Sequence, residues 1–83
     1  MQNQRRAVFR KSFMVYTDAD EAVTVVFDVD QEDFEPQGIL TATDALGDEL
    51  ARYTVSPRFQ LTRAVARRWV GAGMTHPDTL GRS

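Results

Sequence analysis

Between Ala22 and Asp30 the chain reads AVTVVFDVD, and Val23, Val25, Phe27 and Val29 alternate there with Ala22, Thr24, Val26 and Asp28. A period of two sends these sets to opposite faces of an extended strand, one of them wholly apolar. Slipping the register by one residue would turn that set out to water, so the rest of the chain must supply partner strands and a covering layer.

The preceding run, VFRKSFMVYT from Val8 to Thr17, is rich in aromatic and β-branched residues. Phe9, Phe13 and Val15 share one parity and Arg10 and Ser12 the other, which reads as a second strand. The polar turn DADE between the two makes an antiparallel hairpin the simplest arrangement. Pro36-Gln37-Gly38 is turn chemistry, so a third strand is expected to start at Ile39. Gly47-Asp48 suits a two-residue turn, and pairing Leu46 with Glu49 puts Leu40, Ala42, Ala51, Tyr53 and Val55 on one face. Ile39, Thr41, Thr43, Arg52 and Thr54 then fall on the other. A helix through TDALGDELARY competes, because Leu46, Leu50 and Tyr53 also have helical spacing, but Gly47 in its interior counts against it.

SPRFQLTRAVARRWVGAGM is the clearest helix, with Ser56 as N-cap, Pro57 at the first helical position, and Gly71 and Gly73 at its end. Phe59, Leu61, Val65, Ala66, Trp69, Val70 and Ala72 fill about half the helical wheel, and Arg63, Arg67 and Arg68 stand on the rest. The expected fold is therefore α+β: a small two-layer domain of order ββββα, an antiparallel four-stranded sheet of two hairpins packed on one C-terminal helix. Residues 1–74 are expected to form a single domain, and residues 75–83 a flexible tail.

Eighty-three residues fit one domain, and 42% hydrophobic residues with eight aromatics support a small core. The absence of cysteine excludes a disulfide framework, a thiolate metal site and a thiol nucleophile, and makes a reducing cytoplasm the expected location. The N-terminus MQNQRRAVFRKSF is basic but has no apolar core of a secretory leader, and no window reaches eighteen apolar residues, so neither secretion nor a membrane span is expected.

The net charge of −2 conceals a strong segregation. Asp18 to Glu49 holds eleven acids and no Lys or Arg, whereas the flanks hold all ten basic residues, nine of them Arg, and the single acid Asp78. Arginine forms bidentate pairs with carboxylate or phosphate more readily than lysine does.

Five carboxylates fall within DVDQEDFE, residues 28–35, and superficially resemble a calcium loop. An EF-hand needs glycine at its sixth position and glutamate at its twelfth; counted from Asp28 these are Asp33 and Ile39, so the motif fails. The stretch is read as a solvated loop between strands or a patch facing a partner, with Phe34 tucked into the core or against another chain. His76 lies in the expected tail, where nothing holds it within reach of a proton. Ser56 is accounted for as a cap, and no glycine-rich phosphate loop precedes a helix. No catalytic residue, metal ligand or cofactor site is expected.

The expected function is a small non-enzymatic protein–protein interaction or accessory domain, of bacterial or phage type by its size and arginine-rich composition. Its partner is another protein or a second copy of itself, with no membrane and no small-molecule substrate. The candidate contact residues are Asp30, Glu32, Asp33, Phe34, Glu35, Arg63, Arg67 and Arg68. In this reading the acidic loop, together with Asp28, Asp48 and Glu49, faces one way and the arginine stripe another. The alternative is a nucleic-acid-binding protein using the Arg63/Arg67/Arg68 stripe with the basic N-terminal arm (Arg5, Arg6, Arg10, Lys11). A small hydrolase is a distant third, since a chain of this size has little room for a deep cleft. Trp69 is expected to pack in the core.

Overall fold

A computed structural model describes residues 6–32 and 35–77. Four antiparallel strands are followed by one helix: β1 (Arg6–Tyr16), β2 (Ala22–Glu32), β3 (Glu35–Asp44), β4 (Glu49–Val55) and α1 (Arg63–Gly71). The sheet order is β1-β2-β3-β4, so each strand pairs with its neighbours in sequence. This is the expected ββββα layering, with the strand order now decided.

The alternation in β2 sorts as read. Val23, Val25, Phe27 and Val29 are buried, and Ala22, Thr24, Val26, Asp28 and Asp30 lie half-buried on the opposite face. The covered face is completed by Val15, Leu40 and Ala42, which pack with Leu61, Ala66, Trp69 and Val70 in one core. Nothing among the described elements covers the other face.

Three expectations about element boundaries are corrected. β3 starts at Glu35, not Ile39: Pro36, Gln37 and Gly38 pair with Gln31, Asp30 and Val29. Pro36 is tolerated because β3–β4 pairing runs no further than Gly38 with Val55, so no β4 partner needs the missing N–H. Gly38 is there for space. A Cβ on it would stand 2.8 Å from the carbonyl oxygens of both Ser56 and Val55 and 3.1 Å from Phe27 Cε1.

The β3–β4 turn is longer than the expected two residues. Asp44 pins a four-residue connection, its Oδ1 accepting from the backbone N–H of Leu46 and Asp48, each at 2.9 Å, and Gly47 takes φ +88°. The register becomes Ala42 with Ala51 and Leu40 with Tyr53. This is two residues from the expected pairing, and an even shift leaves every side chain on its expected face. A bulge between Ala42 and Thr43 absorbs the difference and turns Leu50 toward the covered side, where it lines a groove with Met74.

The helix begins at Arg63, not Pro57, with Thr62 as N-cap accepting the Val65 N–H at 3.1 Å. Ser56 does form a cap-like bond, but in a turn: its Oγ accepts from Arg58 N at 3.0 Å and its carbonyl from Phe59 N at 3.0 Å. The reason is distance. After β4 the chain must return to β1, three strand spacings or about 14 Å away, and six helical residues would advance only about 9 Å. The connection therefore runs across the sheet end, laying Phe59 on Phe27 at 5.6 Å between ring centroids and burying Leu61.

From there α1 recrosses the sheet, with Arg63 against Phe13 of β1 and Trp69 against Tyr53 of β4. Its nine residues span about 13 Å, close to the width of four strands. Ala66, Trp69 and Val70 are buried, whereas Ala72, placed on the apolar arc by the helical wheel, is exposed as the C-cap. Gly73 at φ +84° ends the helix, with its N–H donating to Val70 O at 3.0 Å and Met74 N–H to Trp69 O at 2.8 Å.

Residues 75–77, expected to begin a tail, pack against the domain. The Thr75 carbonyl accepts the Trp69 indole N–H at 2.6 Å, His76 lies 5.1 Å from the Tyr53 ring, and Pro77 is buried.

Gly71 is exposed, a Cβ there would meet nothing within 4 Å, and its backbone does not need positive φ. Gly71→Ala is expected to stabilise the fold by about 0.5 to 1 kcal/mol through lower unfolded-state entropy, read as a rise of several degrees in a thermal melt.

Candidate interaction surface

The run from Asp28 to Glu35, read as a loop, is almost wholly strand. Asp28, Asp30 and Glu32 belong to β2 and Glu35 opens β3, paired with Glu32. These residues therefore run along a hairpin whose backbone bonds to itself, from Asp28 opposite Ile39 to Glu32 opposite Glu35. Asp33 and Phe34 lie outside the described residues.

The acids do not face one way. Glu35 and Asp44 begin and end β3, ten residues long, so the hairpin tip and the turn carrying Asp48 and Glu49 lie about 30 Å apart. One acidic group is at the β2–β3 tip; the other, Asp18, Asp20, Glu21, Asp44, Asp48 and Glu49, is at the end formed by the two other turns.

Arg10 with Asp28, and Arg52 with Glu49, join bases and acids of the sheet. Arg10 Nε stands 3.7 Å from Asp28 Oδ1 across the β1–β2 pair, on the uncovered face. That separation is too long for a hydrogen bond, and Asp28 Oδ1 is buried without one. Within β4, Arg52 Nη2 donates to Glu49 Oε1 at 3.0 Å and Nε to both carboxylate oxygens at 3.2 Å. Hydrogen bonding to the Glu49 carboxylate, with its charge, raises the Arg52 pKa further above its already high value. The pair is exposed, so it contributes little to stability.

The helix arginines meet no acid among the described residues. Arg63, Arg67 and Arg68 are exposed. The Arg63 guanidinium carbon lies 5.1 Å from the Phe13 ring centroid, and its Nη1 donates weakly, at 3.5 Å, to the Met14 carbonyl. Lys11 Nζ stands 5.7 Å from the same ring, so two cations flank Phe13 at the β1 edge.

Two surface depressions adjoin at the turn end of the sheet. One, of about 370 Å³, is lined by Met14, Val15, Tyr16, Arg63 and Arg67. The other, of about 610 Å³, has an apolar lining of Ala22, Val23, Leu46, Leu50 and Met74, rimmed by Asp20, Glu21 and Asp44. Among the described residues, four of the five exposed large hydrophobic ones, Met14, Tyr16, Leu46 and Leu50, lie in these two places.

Reading β1 by Arg10 and Ser12 had made its outer parity polar, although Met14 and Tyr16 share that parity. Leu46 carried a signal of its own, as a leucine in a turn otherwise built of polar and small residues.

Among the described residues no group of three or more His, Asp or Glu is placed to hold a metal ion, and no helix is long and apolar enough to cross a membrane. Comparison with protein-family models, with curated proteins and with solved structures gives no match to this chain.

Proposed function

We propose that this chain is a non-enzymatic interaction domain that binds another protein through complementary charge. The observation that supports this reading is that Arg63, Arg67 and Arg68, exposed on α1, have no acid partner among the described residues. Arg63 and Arg67 line a surface depression with Met14, Val15 and Tyr16, and no acid lines it. Exposed arginines that meet no acid of their own chain among the described residues would steer and orient a partner of opposite charge. In this reading Asp30, Glu32, Asp33, Phe34 and Glu35 form a further contact surface. The domain works in the cytoplasm, as an accessory protein of bacterial or phage type.

A second reading, nucleic-acid binding, is favoured by one feature. Lys11 and Arg63 flank Phe13, and Phe9 is 49% exposed on the same strand, a mixture of cations and aromatic faces suited to single strands. Titration with random-sequence duplex and single-stranded DNA and RNA, at about 50 mM and about 300 mM salt, decides between the two. The interaction reading expects no micromolar binding. Salt-sensitive binding that disappears in Arg63→Ala/Arg67→Ala overturns it in favour of nucleic acid.

A further inference from the structure

We infer that the protein partner includes a second copy of this chain, docked through the turn end of the sheet about a two-fold axis. This rests on the interaction reading above and names its partner.

The turn end carries two patches of opposite character. Met14 and Tyr16, 52% and 60% exposed, stand beside Arg63 and Arg67 and form an apolar surface edged with positive charge. Leu46 and Leu50, 86% and 45% exposed, stand beside Asp20 and Glu21 and form an apolar groove edged with negative charge. No Lys or Arg lines the groove, and no Asp or Glu lines the basic patch.

The patches follow one another along the chain: Tyr16 ends β1, and Thr17 opens the turn that walls the groove. A chain that carries both members of a complementary pair side by side can satisfy both at once by a two-fold rotation. The basic patch of each copy then enters the acidic groove of the other, and a closed contact of this kind leaves neither patch over. A head-to-tail arrangement would leave one open at each end.

The groove walls are held in place before any partner arrives. Thr17 Oγ1 accepts from the N–H groups of Ala19 and Glu21, each at 3.2 Å, and Asp44 Oδ1 from those of Leu46 and Asp48. Leu46 is thus displayed on a pinned turn, which reduces the ordering entropy lost on docking.

The experiment is sedimentation equilibrium of the whole chain, from about 1 to about 500 μM, at low and high salt, with charge-reversed variants. A dimer is expected whose dissociation constant rises at least about tenfold with salt. Asp20→Asn/Glu21→Arg cancels the net charge of the groove rim, where Asp44 remains, and keeps at residue 20 a side chain suited to its φ of +66°. Arg63→Glu/Arg67→Glu reverses the patch, and Arg67→Glu alone spares the Arg63 contact with Phe13. Each variant is expected to be monomeric where the wild type is dimeric, and an equimolar mixture of the groove and patch variants to associate more tightly than either alone, because the intact patch of one meets the intact groove of the other. Leu46→Ser is expected to weaken association at least about tenfold with an unchanged melting temperature.

A monomer throughout the range overturns the two-fold dimer. So does a dimer indifferent to these substitutions, which would place the contact on another surface. Either result leaves the interaction reading standing with a different partner, whereas nucleic-acid binding in the titration above removes that reading itself.

Discussion

Trp69→Ala is expected to lower the melting temperature by about 15 to 30 °C and leave much of the protein unfolded at 37 °C. Trp69 is fully buried, its ring meets Tyr53 edge-on at 6.3 Å, and its N–H bonds the Thr75 carbonyl at 2.6 Å. Truncating a buried tryptophan costs about 3 to 5 kcal/mol through lost transfer energy and the cavity left behind. A domain of 83 residues holds only about 4 to 12 kcal/mol in all. The loss also frees residues 75–77, since the indole is what fastens the Thr75 carbonyl to the helix. Circular dichroism during thermal and urea unfolding measures the effect without relying on tryptophan emission. Trp69→Phe separates the contributions: it keeps most of the packing and removes the hydrogen bond, for an expected loss of about 1 to 3 kcal/mol. Wild-type-like melting of Trp69→Ala would mean that α1 does not close this core.

Gly38→Val is expected to destabilise by about 3 kcal/mol or more, and Gly38→Ala by about 1 to 3 kcal/mol. Both added Cβ contacts at 2.8 Å are to backbone carbonyls, of Val55 and Ser56, and backbone cannot rotate aside as the tip of a flexible side chain does. Relief requires the connection to lift from the sheet, which would loosen Phe59 from Phe27. Gly47→Ala provides the contrast, because its Cβ would meet nothing within 4 Å but its φ is +88°; the expected loss is about 1 kcal/mol, from backbone strain alone. Urea midpoints at constant slope measure all three. Equal losses at residues 38 and 47 would show that Gly38 is a turn residue and not a point of close approach.

Gly38 also shows why part of the fold was illegible. Pro36-Gln37-Gly38 has turn composition, and the neighbour that requires glycine there, the chain at Val55 and Ser56, is seventeen and eighteen residues away in sequence. Ser56-Pro57 misleads for a related reason. Its serine makes the same kind of oxygen-to-amide bond in the observed turn as it would at a helix start, and only the distance back to β1 selects between them. By contrast, β2, the assignment of the β3–β4 faces and the helix end at Gly71 and Gly73 were readable, because periodicity and left-handed glycines act locally. The candidate surface was legible in part. Arg63, Arg67 and Arg68 were found by helical spacing, while Met14, Tyr16, Leu46 and Leu50 meet across three segments that no local pattern connects.

By itself the sequence determined which side chains of β2 and of the β3–β4 pair share a face, and that positive and negative charge occupy separate stretches of chain. These follow from the two-residue and 3.6-residue periods and from composition. Only the tertiary structure decided which of those charges touch. Arg10 reaches Asp28 because β1 and β2 pair in that register, whereas α1 sets Arg63 and Arg67 beside Met14 and Tyr16 at the β1 edge, in a depression that no acid lines. Pairing register and crossing direction are set by packing between distant segments, and an ion pair depends on both.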